Sequence, residues 1–401
     1  MMRTENHPAW LLPSGFEDML PARTEALEHC RRSLLDRYAL WGYRQVTPPL
    51  VEHLESLLTG SAADLDLQTW KLLDQDSGRL VGLRSDMTPQ MARIDAQTSA
   101  SGEVRRLSYA GTVLRARPDL LGGSRAPFQV GAELFGVGGP EGDLEVLSLM
   151  VESLRACGVP HLLLDIGHVS IPQALADSAG LSAAQRSDLL RLVERKAWPD
   201  VRTWLKAHGC GQAVTADFTA LSHLQGEHTV LDRARQQLGQ HPAIVEALDD
   251  LGFVWESLRT RYPDLAIQCD LAEIRGHQYH TGLLFSVYGP QRGEALARGG
   301  RYDEIGAAFG RRRPATGFSL DLKPLLRDLP EYGKSQRIWA PAGSDPDLWK
   351  SITAERHKGH IVIQDFQSES VPDAAQLQVR GFDARLEQTL GGWVSKPVPA
   401  R

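Results

Sequence analysis

The stretch of sequence that decides the fold is RARPDLLGGSRAPFQVGAELFG, residues 115–136. Its first half is a basic, glycine-rich connection, and its second half predicts a β-strand over Ala126–Phe135. Another strand is predicted just before it, over Arg105–Leu114. Gln129 and Glu133 lie four residues apart on the later strand, so we expect their side chains on one face of a sheet.

Helices and strands are predicted on both sides of this stretch, without the regular alternation that marks a parallel sheet. The predicted helices are Pro21–Leu40, Met87–Ala96, Leu144–Cys157, Ser319–Leu329 and Pro346–His357. The predicted extended segments are Tyr43–Leu50, Trp70–Leu73, Leu80–Leu83, Leu162–His168, Ile267–Leu271, Gly282–Tyr288, Glu294–Arg298 and Ile361–Gln364. Pro172 to Tyr262 reads as almost wholly helical, and Gly391 to Arg401 as disordered. The pattern predicts an antiparallel sheet with a helical insertion.

Composition excludes several classes of protein. The chain of 401 residues is too long for one simple core, so two or three domains are expected. No apolar run is long enough for a membrane helix, and Met1 to Pro13 lacks a signal-peptide core, so we expect a cytoplasmic protein. Four cysteines without a CxxC pair disfavour zinc and disulfides, and we expect no metal. A net charge of -6 gives no support for a nucleic-acid-binding face.

Polar residues recur on or just after the predicted strands, and together they supply what an amino acid ligand needs. An ammonium group needs a carboxylate, a carboxylate needs an arginine fork, and the side chain needs shaped contacts. From the residues alone, exposed strand positions and surface ion pairs are the better explanation of the same set. The candidates are Asp86, Thr88, Arg115, Gln129, Glu133, Arg275, Tyr279 and Tyr302.

Five motifs, in order, resemble those of histidyl-tRNA synthetases over about residues 10 to 325. Gly42 to Glu52 is similar to the first signature of class II aminoacyl-tRNA synthetases, and Arg115 to Gly136 to the second. The other three are Leu83-Arg84-Ser85-Asp86-Met87-Thr88, Ile274-Arg275-Gly276-His277-Gln278-Tyr279-His280 and Arg298-Gly299-Gly300-Arg301-Tyr302-Asp303. The last two resemble histidine-specific motifs.

This resemblance implies an α+β fold, a class II synthetase-like antiparallel sheet flanked by helices, with a helical insertion and a small C-terminal α/β unit. The core would comprise residues 1–170 and 263–330, the insertion residues 171–262, and the C-terminal domain and tail residues 331–401. The first signature also implies a homodimer.

The resemblance further implies a histidine-binding site. Asp86 and Thr88 would hold the ammonium group, and Arg115 and Gln129 would face the carboxylate. The imidazole would be lined by Glu133, Tyr279 and His280. Arg275 matches an arginine that helps the carboxylate react in the synthetase, and Tyr302 would close the pocket. His280 stands where the family has tyrosine.

Two departures argue against synthetase chemistry. The second signature reads Arg115-Ala116-Arg117-Pro118, one residue short and without its glutamate. In the third, Asp321, Lys323 and Pro324 replace the glycine, glutamate and arginine that help to hold ATP. Proline cannot bind a phosphate. We therefore expect no catalytic residues for adenylate formation and no cofactor.

The C-terminus departs as well, since the 71 residues from Glu331 to Arg401 are too few for a whole anticodon-binding domain. This profile resembles the regulatory subunits of ATP phosphoribosyltransferase. That family implies a short-form catalytic subunit as partner, a hetero-oligomer, free histidine as effector in histidine biosynthesis, and no tRNA. Two alternatives stay open: a truncated synthetase-like amino-acid-activating enzyme, and an RNA-binding protein that keeps the fold.

Overall fold

The structure is a computed structural model that describes residues 11–59, 63–100, 102–118, 123–276, 279–290, 293–326, 335–366 and 371–399. Three parts of the chain used in the sequence analysis lie outside the described residues. They are residues 1–10 of the N-terminal segment, residues 119–122 of the glycine-rich connection, and the motif residues His277 and Gln278. The chain divides into two compact units, Met1–Leu329 and Pro330–Arg401.

The helices alternate irregularly with the strands, as the sequence pattern predicted. Within the described residues they are α1 (Pro21–Leu40), α2 (Leu54–Leu58), α3 (Ala63–Gln68), α4 (Thr88–Thr98), α5 (Pro140–Ala156), α6 (Ser170–Ser178), α7 (Ala183–Glu194), α8 (Trp198–Ala207), α9 (Gln212–Leu221), α10 (Thr229–Leu238), α11 (Pro242–Arg261), α12 (Leu322–Leu325), α13 (Pro346–His357) and α14 (Ala374–Val379). A short 3₁₀ helix covers Ile305–Phe309. None of the described helices is long and apolar enough to cross a membrane.

The described strands form three sheets. They are β1 (Arg44–Gln45), β2 (Val51–His53), β3 (Trp70–Leu73), β4 (Leu80–Leu83), β5 (Arg105–Thr112), β6 (Phe128–Phe135), β7 (Leu163–His168), β8 (Gln225–Gly226), β9 (Ala266–Asp270), β10 (Leu283–Tyr288), β11 (Ala295–Arg301), β12 (Ala315–Asp321), β13 (Arg337–Ala340), β14 (Ile361–Gln364), β15 (Ala384–Thr389) and β16 (Gly392–Pro397).

The large sheet of the first unit has the order β1-β5-β6-β12-β11-β10-β7-β9-β8 among the described strands. Its six central strands, β5-β6-β12-β11-β10-β7, pair with one another in antiparallel fashion throughout. Only the pairs β1–β5 and β7–β9 are parallel there. A separate antiparallel sheet has the order β2-β4-β3. The predicted antiparallel architecture is confirmed.

One face of the large sheet is covered by α1 and α5. The buried residues of α1, Leu27, Cys30, Leu34 and Tyr38, recur at the three- and four-residue spacing of one helix face. The ring of Tyr38 meets Phe318 of β12 edge-on, with centroids 6.0 Å apart. Burial of this face fixes the register of the strands, because a one-residue slip would turn Phe318 away from the core.

The opposite face carries a second apolar cluster beside an open cavity. Met87 and Met91 at the start of α4, Tyr302 after β11 and Ile305 of the 3₁₀ helix are all buried there. Tyr109 of β5 belongs to the same cluster and is fully buried. This packing holds α4 and the 3₁₀ helix against the sheet, and it fixes the chain segments that border the cavity.

The predicted helix at Ser319–Leu329 is wrong over its first residues. Strand β12 continues to Asp321, where the carboxylate accepts a hydrogen bond from the backbone N–H of Lys323 and caps the short helix α12. Residues 327–329 lie outside the described residues. The leucines of this segment mimic a helical repeat, but pairing with β6 on one side and β11 on the other keeps it extended.

The predicted helical stretch from Pro172 to Tyr262 corresponds to helices α6–α11. Helix α6 begins two residues earlier than predicted, at Ser170. The stretch also contains the two-residue strand β8, which pairs with β9 at the edge of the large sheet. These helices belong to the compact unit Met1–Leu329 and do not form a unit of their own. The boundaries of the insertion, residues 171–262, therefore stay a prediction.

The second unit contains a four-stranded sheet in the order β14-β13-β15-β16. The prediction of disorder from Gly391 onward is wrong for residues 391–399, because β16 forms an antiparallel hairpin with β15. Helix α13 packs on one face of this sheet through Leu348 and Ile352. The sequence pattern missed this strand because its partner, not its own composition, determines its conformation.

Candidate functional site

A cavity of about 270 Å³ opens on the face of the large sheet opposite α1 and α5. Every one of the nine residues predicted to bind histidine lines it. They come from the start of α4 and the residues just before it, from the segment after β5, from β6, from the turn before β10 and from the residue after β11. The nine are Asp86, Thr88, Arg115, Gln129, Glu133, Arg275, Tyr279, His280 and Tyr302.

One wall of the cavity is a hydrogen-bonded group around Asp86. Its Oδ1 accepts from Nε2 of Gln129 at 2.8 Å and from the backbone N–H of Thr88 at 3.1 Å. Oε1 of Gln129 accepts in turn from the backbone N–H of Met87 at 3.0 Å. These bonds orient the Asp86 carboxylate immediately before α4, where a ligand ammonium group would find a fixed acceptor.

The floor of the cavity is the carboxylate of Glu133, which is 1% exposed. Oε1 accepts hydrogen bonds from Thr88 Oγ1 and from the hydroxyl of Tyr109, both at 3.0 Å. Oε2 accepts from the hydroxyl of Tyr302. Burial raises the pKa of Glu133 to about 8, although these hydroxyl donors oppose the shift. The floor therefore largely holds a proton near neutral pH and can exchange a hydrogen bond with a polar group of a ligand.

Aromatic rings form the side wall above Glu133. Tyr279 stacks on Tyr302 with ring centroids 5.1 Å apart and an interplanar angle of 27°. The ring of His280 meets Tyr279 edge-on, also at 5.1 Å. The hydroxyl of Tyr279 is buried and has no hydrogen-bond partner among the described residues. A buried hydroxyl without a partner is costly, so a polar ligand atom that reached it would be stabilised.

His280 contributes a neutral imidazole. Burial lowers its pKa to about 4, and its Nδ1 lies 3.2 Å from the backbone carbonyl of Arg301. A carbonyl oxygen only accepts, so Nδ1 carries the proton. Gly276, which precedes this wall, has a φ of +68° and turns the chain, so Arg275 and Tyr279 are not on one extended strand. They reach the same cavity through this turn.

Arg275 lies at the mouth of the cavity, with its side chain 54% exposed. Its guanidinium is 3.9 Å from the carboxylate of Glu273, which also accepts from the backbone N–H of Arg275 at 2.8 Å. Arg115 follows β5, and its backbone N–H donates to the carbonyl of Arg125 at 2.8 Å. Two guanidiniums therefore border a cavity whose other wall holds Asp86.

Sequence reasoning missed four polar residues of the lining: Glu273, Ser286, Arg298 and Ser319. Ser286 and Arg298 lie on strands that were predicted, and alternation of side chains along those strands could have placed them on the cavity face. Ser319 was missed because its segment was taken for the start of a helix.

The third-signature region ends in a carboxylate that is bonded within the protein. Asp321 Oδ1 accepts from the backbone N–H of Phe128 at 2.9 Å and from that of Lys323 at 3.1 Å. Burial raises the pKa of Asp321. The amine of Lys323 lies 4.0 Å from the carboxylate of Glu17. A carboxyl group therefore stands at the end of β12, three residues before Pro324, which replaces the phosphate-binding arginine of the signature.

This fold and this cavity define a class II aminoacyl-tRNA synthetase-like protein. The histidyl-tRNA synthetase family matches residues 15–325, and the C-terminal domain family of the ATP phosphoribosyltransferase subunit HisZ matches residues 335–396. A solved histidyl-tRNA synthetase from Nostoc sp. covers 94% of this chain with 91% of its own, at a TM-score of 0.77 and 20% identity, and it shows the fold alone.

The chain belongs to the family of ATP phosphoribosyltransferase regulatory subunits. A relative of that name from Thioalkalivibrio sulfidiphilus is 49% identical over 88% of this chain and 91% of its own length. Another from Methylococcus capsulatus is 46% identical over 98% of this chain and 97% of its own. A crystal structure titled ATP phosphoribosyltransferase regulatory subunit/histidyl-tRNA synthetase, from Bacillus halodurans, covers 92% of this chain with 96% of its own at a TM-score of 0.80 and 28% identity.

This membership confirms the predicted family, the α+β fold and the regulatory role in histidine biosynthesis. It also confirms the prediction that the chain is a regulatory and not a catalytic subunit, because the family name designates a regulatory subunit.

Proposed function

We propose that this chain binds free histidine in the cavity and passes the binding signal to a short-form catalytic subunit of ATP phosphoribosyltransferase. Histidine is the effector, and feedback inhibition is the response. The chain itself performs no chemistry and binds no tRNA. Coupling needs only that histidine bind one state of the assembly better than another.

The observation that carries this proposal is the convergence of all nine predicted residues on one cavity. They provide the carboxylate of Asp86, the guanidiniums of Arg115 and Arg275, and the buried carboxyl group of Glu133, which is largely protonated near neutral pH. A zwitterionic amino acid with a basic side chain is complementary to such a distribution.

Each group of histidine has a partner in this arrangement. Asp86 and Thr88 take the ammonium group, and Arg115, Gln129 and Arg275 take the carboxylate. The imidazole lies against Glu133, Tyr279 and His280, where the Tyr279 hydroxyl gains the partner that it lacks among the described residues. Tyr302 closes the floor, since its hydroxyl already donates to Glu133.

The partner subunit is supported by the names of the relatives, which designate a regulatory subunit of an enzyme. We propose a homodimer of this chain within the hetero-oligomer. Its support is the first-signature resemblance and the small sheet β2-β4-β3, where Leu72, Leu73 and Leu80 are 46%, 63% and 55% exposed. Exposed apolar clusters of this kind mark interaction sites.

We propose the cytoplasm as the location of the assembly. All four cysteines belong to the described part of the chain, and none forms a disulfide there. Persistent thiols fit a reducing compartment. The division into a core (residues 1–170 and 263–330), a helical insertion (171–262) and a C-terminal domain and tail (331–401) is likewise a proposal.

Reconstitution tests the regulatory part directly. A short-form catalytic subunit is assayed for phosphoribosyl transfer alone, with this chain, and with this chain plus histidine. We expect added chain to raise the rate and added histidine to lower it again. Activity that is independent of this chain, or unaffected by histidine in the complex, contradicts the proposal.

A further inference from the structure

A row of three polar side chains crosses the centre of the large sheet. Ser286 of β10 lies directly opposite Arg298 of β11, and Arg298 lies directly opposite Ser319 of β12. All three line the cavity. Arg298 is exposed, whereas its neighbours Leu296 and Ala297 are buried. A guanidinium in the middle of a central strand, flanked by two hydroxyls, is thus turned toward the cavity and away from the core.

The row borders the part of the cavity assigned to the imidazole. Two residues further along these strands, on the same face, stand Gly300 and Gly317. The ring of His280 lies over Gly300, and the carboxylate of Glu133 lies over Gly317. Two residues along a strand span about 7 Å. A single amino acid can bridge that distance, and so can two small ligands side by side.

The charges of the lining favour an anion. Its cations are Arg115, Arg275 and Arg298, and its carboxyl groups are Asp86, Glu133 and Glu273. Glu133 has a pKa of about 8 because it is buried, so near neutral pH it is largely protonated. Positive charge then exceeds negative charge, and a histidine zwitterion by itself does not change that balance.

The nearest further carboxyl group on this row is Asp165 of β7, opposite Ser286. Burial raises the pKa of Asp165 to about 7, and the neighbouring carboxylates of Asp270 and Glu273 add to the shift. Its negative charge is therefore reduced near neutral pH. It therefore repels an anion bound at the row less than a fully ionised aspartate would.

We propose that Ser286, Arg298 and Ser319 form an oxyanion subsite. The planar guanidinium supplies the charge and a bidentate pair of N–H donors, and each serine hydroxyl supplies one more donor. The oxyanion is the α-carboxylate of the bound amino acid, shared with Arg115, Gln129 and Arg275, or a separate phosphate group. The first source rests on the proposed function, whereas the second does not.

Calorimetric titration of the full chain tests the subsite with three ligands: histidine, histidinol and inorganic phosphate, the last with and without histidine. Histidinol carries a hydroxymethyl group in place of the carboxylate. The variants are Arg298→Ala, Arg298→Lys and the double change Ser286→Ala with Ser319→Ala. The matched control is Arg259→Ala, because Arg259 is an exposed arginine of α11 outside the cavity lining.

The α-carboxylate is the source if Arg298→Ala weakens histidine binding roughly ten- to a hundredfold and leaves histidinol within about twofold. Phosphate is the source if the wild type binds it and Arg298→Ala loses that binding. In both cases we expect Arg298→Lys and the double serine variant to lose less affinity than Arg298→Ala does. These two also keep the test valid if Arg298→Ala fails to fold.

The subsite is overturned if the Arg298 variants match Arg259→Ala with all three ligands. It is overturned as well if the wild type binds neither histidine nor phosphate. If the wild type binds phosphate through Arg298 but no histidine, the proposed function fails and the subsite stands. The two ideas are therefore separable in one set of titrations.

Discussion

Glu133 on β6 lies directly opposite Gly317 on β12, and the absence of a side chain at 317 leaves room for the Glu133 carboxylate. A Cβ atom at this glycine would overlap Oε2 of Glu133. The acidic floor of the cavity therefore depends on a glycine in a neighbouring strand. The reason is the space that a side chain would take, because the backbone conformation at Gly317 does not itself require glycine.

Gly317→Ala is expected to displace the Glu133 carboxylate, to abolish measurable histidine binding and to destabilise the chain by about 1–3 kcal/mol through overpacking. The matched control is Gly252→Ala in α11, where an added Cβ meets nothing within 4 Å. That control should be neutral or stabilising by up to about 1 kcal/mol. Chemical denaturation and calorimetry of both variants check this. Equal behaviour of the two would refute the dependence of Glu133 on Gly317.

Stability should depend on pH through Glu133. Its pKa is about 8 in the folded chain and 4.5 as the reference value, so the unfolded chain releases this proton first. The contribution of this group to the free energy of unfolding is full below pH 4.5 and is lost as the pH rises to 8. We expect a loss on the order of 3 kcal/mol between pH 5 and pH 8.

Urea denaturation at several pH values, compared between the wild type and Glu133→Gln, measures this loss as the difference between the two curves. The amide cannot ionise, so that variant should lack this share of the pH dependence. Parallel curves would show that the Glu133 carboxyl titrates normally.

Histidine binding should also depend on pH above 8. In the proposed complex the imidazole and the Glu133 carboxyl group share one proton, and Glu133 without histidine releases its proton near pH 8. Wild-type affinity should then fall by up to about tenfold per pH unit, because binding must take a proton back. Glu133→Gln should show no such fall. Identical profiles for the two proteins between pH 7 and pH 9 would contradict a shared proton.

Histidine-dependent exchange of pyrophosphate into ATP should be absent. Pro324 replaces the arginine that would hold a phosphate, and Asp321, three residues earlier, places a carboxyl group at the glycine position of the signature. A histidyl-tRNA synthetase assayed in parallel provides the positive control. Robust exchange by this chain would support the alternative of a truncated amino-acid-activating enzyme.

Local patterns predicted much of the fold, and long-range pairing explains what they missed. The spacing of apolar residues gave the bounds of Pro21–Leu40 and Pro346–His357 as the structure has them. It failed at Ser319 and after Gly391, where the segments are extended because neighbouring strands pair with them. The first segment is rich in leucine, and the second is short and lies between glycines and prolines, so neither stands out as a strand.

The candidate site was predictable only in part for a related reason. Gln129 and Glu133 share a face because of the two-residue repeat of a strand, and that follows from the sequence. The approach of Arg275 and Tyr302 depends on the turn at Gly276 and on the pairing of strands far apart in the chain, so it was inferred from family resemblance. Arg298 was missed because the matching motif assigns it no role.

Calorimetric titration of histidine into the wild-type chain, Arg275→Ala, Glu133→Ala and the exposed control Arg259→Ala tests the central claim most directly. We expect the wild type and Arg259→Ala to bind one histidine per chain. Each cavity variant should bind at least about tenfold more weakly, since loss of a charged hydrogen bond in a binding site costs about 2–5 kcal/mol. Activation of the catalytic partner should persist in both. Unchanged affinity in Arg275→Ala and Glu133→Ala, or no binding by the wild type, would contradict a histidine site in this cavity.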